Sequence, residues 1–295
     1  MARLRAGENR GFSLIELTVS MALLLTLMSS VFFVLAKYQR AYQNEQSGAD
    51  VLQGARGTME LLDQEIGQAG SFSFPAGRKL SAGVTGNTTA QWVTLSSMAN
   101  VFVGEKLLVD TGANEDLVPI TNTDDTRVFG VFANSHAVSM PVKALGTFAN
   151  GILKSSTPTQ LRIFGDINND GVLVYVEYTC STAAGTLTRS STPIGAAQST
   201  PQTLMSGLQP NPSGVPCFTY SPLTTMTTTP AEQVLTQVSI TLTSRATTPD
   251  PQTGIYRSVT TSQVVTPRNT GLAVFLAANN MANRIQPTPT LPTGW

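Results

Sequence analysis

Two groups of residues have the types and spacing for chemistry. Asp166-x-Asn168-x-Asp170-Gly171-x5-Glu177 sets oxygen-bearing side chains at alternate positions, the spacing by which a loop wraps a hard cation such as calcium. The flanks Leu161-Arg162-Ile163-Phe164 and Val172-Leu173-Val174-Tyr175-Val176 are apolar and β-branched, so they read as strands rather than helices. With Val172 onward extended, Glu177 falls ~20 Å from Gly171 and cannot close the same loop. Two readings remain: a reduced candidate calcium site of Asp166, Asn168, Asp170 and a backbone carbonyl, or an Asp-Gly hairpin turn with no metal. The second group is His136, the sole histidine, with the acids Glu105, Asp110, Glu115, Asp116, Asp124 and Asp125. One histidine without a cysteine cluster makes no ordinary zinc site. The sequence holds no Gly-x-Ser-x-Gly, no phosphate-cradling Gly-rich loop and no His-Glu-x-x-His. His136 is expected at the surface or a strand end and the acids on a solvated face. No catalytic residue follows, and the chain is expected not to be an enzyme.

The most specific spacing lies near the start, at Arg10-Gly11-Phe12-Ser13-Leu14-Ile15-Glu16-Leu17. A short basic leader ends at Gly11, and an apolar run starts at Phe12 and carries one acid, Glu16. Leu17 to Ala36 holds no charge, and as a helix it would be ~30 Å long, enough to cross a bilayer. A carboxylate beside such a span costs ~2.5–3.5 kcal/mol if drawn to the bilayer centre, which argues that Glu16 has a partner. A secretory signal puts its apolar segment before the cut, and here the small residue precedes a run that is too long. A plain signal anchor is the bland reading. Arg3, Arg5 and Arg10 precede the run, and Lys37 and Arg40 follow it, so flanking charge does not decide orientation.

This junction resembles the class III signal of type IV pilins and pseudopilins. The resemblance implies cleavage by a prepilin peptidase between Gly11 and Phe12 on the cytoplasmic side, followed by N-methylation of Phe12. The freed α-amine, with an ordinary pKa of ~7.7–8, is largely cationic at neutral pH. Glu16 of one subunit would pair with the Phe12 amine of its neighbour and set the register between them. Leu61-Leu62-Asp63-Gln64-Glu65-Ile66-Gly67-Gln68-Ala69-Gly70 and Val264-Val265-Thr266-Pro267-Arg268-Asn269 are similar to segments of PilW-like minor pilins. Many major pilins carry proline where this chain has Phe33, a position at which minor pilins and pseudopilins vary. The implied compartment favours a disulfide between Cys180 and Cys217 over two buried thiols. Such a bond would close a loop of about 38 residues, worth ~4 kcal/mol on chain-entropy grounds.

The elements that must position these residues follow from periodicity. No proline occurs before Pro75, so one helix of ~87 Å from Phe12 to about Gly70 is allowed. Its second half repeats Leu52, Ala55, Met59, Leu62, Ile66 and Ala69 at spacings of three and four, a stripe for packing on a globular head. Gly48, Gly54, Gly57 and Gly67 each weaken it by ~1 kcal/mol relative to Ala, so bends or fraying are expected there. Short strands are expected at Gln91–Leu95, Lys106–Val109 and Arg127–Phe132. A main sheet is expected from Gln160 to Val265, with strands at Leu161–Phe164, Val172–Val176, Val234–Leu242 and Tyr256–Thr260. Exposed loops are expected at 199–213 and 224–230. A short helix or strand is expected at 271–282.

The predicted fold is α+β: a long N-terminal helix packed on an antiparallel sheet, with a β-rich insertion. The divisions are a leader at 1–11, a transmembrane or filament-core helix at 12–36, its amphipathic continuation at 37–70, an insertion at 71–155, a pilin-like sheet domain at 156–285 and a Pro/Thr-rich tail at 286–295. Zero net charge with only 12% charged residues gives no argument for nucleic-acid binding. The resemblance implies a structural minor pilin that primes assembly, at or near the tip. It would be held in the bacterial inner membrane with its bulk extracytoplasmic, and reach the cell surface after assembly. Its partners would be other major and minor pilins, the prepilin peptidase and the inner-membrane assembly platform, with no required cofactor. The alternatives are a pseudopilin of a type II secretion system, a tip adhesin that uses the insertion or loops, and an extracytoplasmic enzyme on a signal anchor.

Overall fold

The computed structural model describes residues 13–72, 77–144, 146–228, 231–250 and 253–291. Two compact units emerge. One runs up to Asp50 and includes Ala246–Arg257; the other comprises Val51–Arg245 and the chain from Ser258 onward. Helix α1, Leu14–Gln68, contributes to both and is unbroken through Gly48, Gly54, Gly57 and Gly67. The expected bends do not occur in its hydrogen-bonding pattern.

In the first unit, the helix from Leu17 to Ala36 is charge-free and exposed on every side. Beyond it, Asn44 Nδ2 donates to Asp250 Oδ2 at 2.8 Å, and Thr248 Oγ1 donates to Ser47 Oγ at 3.3 Å.

In the second unit, α1 buries Ala55, Thr58, Met59, Leu62, Glu65 and Ile66. Leu52, at the start of the expected stripe, is only half-buried. The helix stops because Gly70 turns left-handed at φ 79°. A Cβ there would meet the Phe148 carbonyl oxygen at 3.0 Å. That closeness lets Gly70 donate to Phe164 O and accept from Phe148 N–H, which fastens the helix end to two strands.

Strands β1 (Gln91–Thr94), β2 (Lys106–Val109), β3 (Asp116–Pro119), β4 (Asn122–Thr123), β5 (Arg127–Gly130) and β6 (Val142–Ala144) form two small antiparallel sheets, β1-β5-β4 and β3-β2-β6. Their alternating inner residues Val93, Val128, Leu107, Val109 and Val118 build a core with Leu80, Ile120 and Phe132. Strand β7 (Thr147–Phe148) follows.

The larger sheets hold β8 (Gln160–Gly165), β9 (Val174–Ser181), β10 (Thr186–Pro193), β11 (Gln202–Ser206), β12 (Leu208–Gln209), β13 (Phe218–Tyr220), β14 (Thr224–Met226), β15 (Glu232–Val234), β16 (Val238–Arg245) and β17 (Ser258–Val265). Their orders are β11-β10-β9-β8 and β12-β16-β13, with β17 on β16, and β14 pairs β15. The main core joins α1 to these sheets through Leu62, Ile66, Leu161, Ile163, Val176, Leu187, Phe218, Ile240 and Leu242. Helix α2 (Arg268–Ala278) precedes β18 (Ile285–Gln286), which pairs with β7 in parallel.

Several expectations need correction. Residues 199–213 and 224–230 are not simple loops, since they contain β11, β12 and β14. The run expected as one strand, Val234–Leu242, divides into β15 and β16. The tail is not free as far as it is described: the Tyr175 hydroxyl donates to Pro289 O at 2.6 Å, and Pro289 is buried.

Candidate functional site: the apolar helix and its anchorage

Gly11 and Phe12 lie outside the described residues. The next residues set up the helix start. Ser13 precedes the first helical residue, and its N–H donates to Glu16 Oε2 at 3.1 Å. This is the acid's half of a capping box, which satisfies one of the amides a helix start leaves open. It also places an anion in the first turn, where the helix dipole favours it.

From Leu17 to Ala36 the side chains are uncharged and exposed. Leu25 is 63% exposed and Phe33 73%, far above what a water-soluble surface tolerates as a continuous patch. An 18-residue window reaches a mean hydropathy of 2.3 with none of it buried, so α1 is long and apolar enough to cross a membrane. Three of the hydroxyls in this span are bonded locally: Thr18 to Ile15 O at 2.9 Å, Thr26 to Leu23 O at 2.8 Å and Ser30 to Leu27 O at 2.7 Å. Each therefore enters an apolar medium without an open donor. Past Ala36 come Lys37 and Arg40 with the exposed rings of Tyr38 and Tyr42, residue types that suit a membrane–water boundary.

At the other end of α1 the anchorage is polar. Glu65 is buried inside the apolar stripe and takes two bonds from Arg189 of β10 and one from the Tyr178 hydroxyl of β9. Burial pushes the Tyr178 hydroxyl pKa up, and the Glu65 charge and hydrogen bond push it further. The sequence did carry a signal for this: Glu65 continues the spacing of Ala55, Thr58 and Leu62, and an acid on that face requires a partner.

Cys180 and Cys217 form a disulfide within the main core and tie β9 to the start of β13. The 166–171 loop closes on itself. Asp166 is buried, its Oδ1 accepts Asp170 N–H and its Oδ2 accepts Gly171 N–H, both at 3.0 Å. Asp170 Oδ1 accepts Val172 N–H at 2.9 Å. Glu177 is turned away onto Arg162, 2.7 Å from its Nε. Among the described residues no group of three or more His, Cys, Asp or Glu side chains gathers around a point.

His136 and three of the acids are not on the surface. His136 is buried, with Nδ1 3.2 Å from Asp110 Oδ2 and Nε2 3.6 Å from Asp116 Oδ2, and both acids are themselves buried. Glu105 is fully buried, and burial raises its carboxyl pKa from 4.5 to about 8 against the opposing pull of Arg78. Asp110 and Asp116 flank His136 beside the small-sheet core.

Residues 8–32 match the family described as the prokaryotic N-terminal methylation motif. The chain matches no curated protein and no solved structure. The motif, the exposed apolar helix and the α+β head together support a type IV pilin-like or pseudopilin-type protein. That class is generally structural, is processed by a prepilin peptidase and assembles with other pilins.

Proposed function

We propose that this chain is a structural minor pilin of the PilW-like kind that contributes to priming and assembly of a type IV pilus. Residues 1–11 are the leader and 12–36 the span that moves from membrane to filament core. Residues 37–70 connect it to a head made of an insertion at 71–155 and a sheet domain at 156–285, with the tail at 286–295. The observation that carries this reading is a charge-free exposed run, Leu17 to Ala36, directly behind a methylation motif. Transfer from lipid to a bundle of like helices keeps that surface out of water throughout, so extraction carries no large hydrophobic cost. Glu16 sets register by pairing with the Phe12 amine of a neighbour, and in doing so gives up its bond to Ser13 N–H. The bulk of the chain lies outside the inner membrane before assembly and on the cell surface afterwards.

The test is mass spectrometry of the protein from its native host, on membranes and on sheared pili separately. A peptide that starts at N-methylated Phe12 in both fractions is the expected result. An intact leader in cells with an active peptidase would overturn it and leave a plain anchored protein. Processed chain confined to membranes, absent from pili, would move the assignment to the pseudopilin of a secretion system.

A further inference from the structure

The loop that joins β16 to β17, Ala246–Arg257, belongs to the first unit and steps down α1 toward its apolar run. Its legs are paired twice, Ala246 N–H to Arg257 O at 2.8 Å and Asp250 N–H to Ile255 O at 2.9 Å. Gly254 N–H donates back to Asp250 O at 2.8 Å and closes the turn. The Arg257 side chain occupies the space that a Cβ on Gly48 would need. Thr248 donates to Ser47, and Asp250 accepts from Asn44. Each rung further from β16 therefore meets α1 nearer to Ala36.

That descent sets a height. From Ala36 to Asn44 the helix rises ~12 Å. The polar layer of a bilayer extends ~5–8 Å beyond its hydrocarbon edge. The difference, ~4–7 Å, is one or two residues of extended chain, and Thr253 and Gly254 carry the turn onward from the Asp250 rung. What the turn brings there is apolar. Ile255 is 70% exposed and Tyr256 41%. One exposed isoleucine is ordinary by itself. Here it stands close to the level of the exposed rings of Tyr38 and Tyr42, with Lys37 and Arg40 among them. Tyrosine with lysine or arginine is the makeup of a membrane–water boundary, and the adjoining run, Leu17 to Ala36, carries no charge.

We propose that the 246–257 loop rests on the headgroup layer of the membrane that α1 enters, with Ile255 as its apolar contact, and so holds the rod at a fixed depth before assembly. The occupant is a lipid surface because the contact is continuous with the span and lies at the level where the span leaves hydrocarbon. This rests on the membrane-anchored stage of the function proposed above.

The experiment is depth-dependent quenching of the full chain in vesicles of phosphatidylcholine and phosphatidylglycerol. Cys180 and Cys217 are bonded to each other, so one added cysteine takes a fluorophore. Thr253→Cys reports on the turn, Thr247→Cys on the upper loop and Leu25→Cys on the middle of the span. Lipid with a nitroxide headgroup is expected to quench position 253 at least ~2-fold more than 247, and lipid with a mid-chain nitroxide to quench position 25 alone. Adding Ile255→Asp is expected to bring quenching at 253 down to the level of 247. Quenching at 25 with equal, weak headgroup quenching at 253 and 247 would sink the headgroup contact and leave the anchored rod standing. Unchanged quenching at 253 in Ile255→Asp would overturn Ile255 as the contact. A 253 label unquenched in vesicles but blue-shifted in sheared pili would assign the turn to a neighbouring subunit instead. No quenching at 25 by either lipid would remove the anchored stage, and this inference with it.

Discussion

The guanidinium of Arg189 holds the carboxylate of Glu65 through two bonds, Nη2 to Oε1 at 2.7 Å and Nε to Oε2 at 3.0 Å, across 124 positions of sequence. The pair fixes the rotation of α1 about its own axis against the sheet, which an apolar stripe alone does loosely. Removing one member of a buried ion pair typically costs ~3–5 kcal/mol, because the other charge is stranded. Arg189 keeps a fifth of its side chain in solvent, so Glu65→Ala should cost about 3 kcal/mol. Urea unfolding of the full chain in micelles measures it. An unchanged midpoint would show that the pair does not anchor the helix.

The Cys180–Cys217 bond spans 37 positions. Replacing both cysteines with serine should lower stability by ~4 kcal/mol, mainly by freeing the unfolded chain. Both sites are in the main core, and a buried serine pair adds its own desolvation cost. Unfolding curves with and without reductant check this: the wild type should lose stability on reduction, and the double variant should not respond.

Glu105 gives the small-sheet core a pH dependence. Its carboxyl pKa is raised from 4.5 to about 8 by burial. Between these values the unfolded chain has released the proton and the folded chain has kept it. Stability is therefore complete below about pH 4.5 and falls as pH rises through about 8, with a slope of up to ~1.4 kcal/mol per pH unit. Glu105→Gln should flatten the profile in that window and be the more stable form at pH 8. Thermal scans at pH 5 to 9 decide it, and parallel profiles for the two proteins would contradict the assignment.

The 166–171 loop should need no cation. Both oxygens of Asp166 already accept backbone amides, so chelator or added calcium should leave the thermal midpoint where it is. Asp166→Ala should instead lose ~2 kcal/mol, since two part-buried N–H groups lose their acceptor. A chelator-induced drop in the midpoint would support the calcium reading instead.

Much of the fold was legible because hydrophobic periodicity reports it. Ala55, Met59, Leu62, Ile66 and Ala69 repeat at helical spacing, and all are buried. What escaped was structure made by polar residues. β10, Thr186–Pro193, offers Arg189, Ser190 and Ser191 where a strand signal needs apolar alternation, and it holds its place through neighbours on both sides. His136, Asp110 and Asp116 read as surface because each alone would be costly to bury, whereas in the fold His136 Nδ1 lies against Asp110 Oδ2 and Asp116 Oδ2 accepts from Asn134 N–H. Partnerships across long stretches of chain leave no local pattern. Of the candidate site, the charge-free run and its leader spacing were legible for the same reason as the helix: they are local.

The hydroxyls of Thr18, Thr26 and Ser30, each turned back onto its own helix, have a consequence for how this rod meets its neighbours. A donor committed within the helix offers nothing directional to a second helix. Rotation and sliding among neighbouring rods are then resisted along this stretch by the shape of leucine, methionine and phenylalanine side chains. In the filament role proposed above, the charge that would lock a definite offset is the acid near the start of the rod, Glu16. In that role such a helix is a bearing surface with one charged detent.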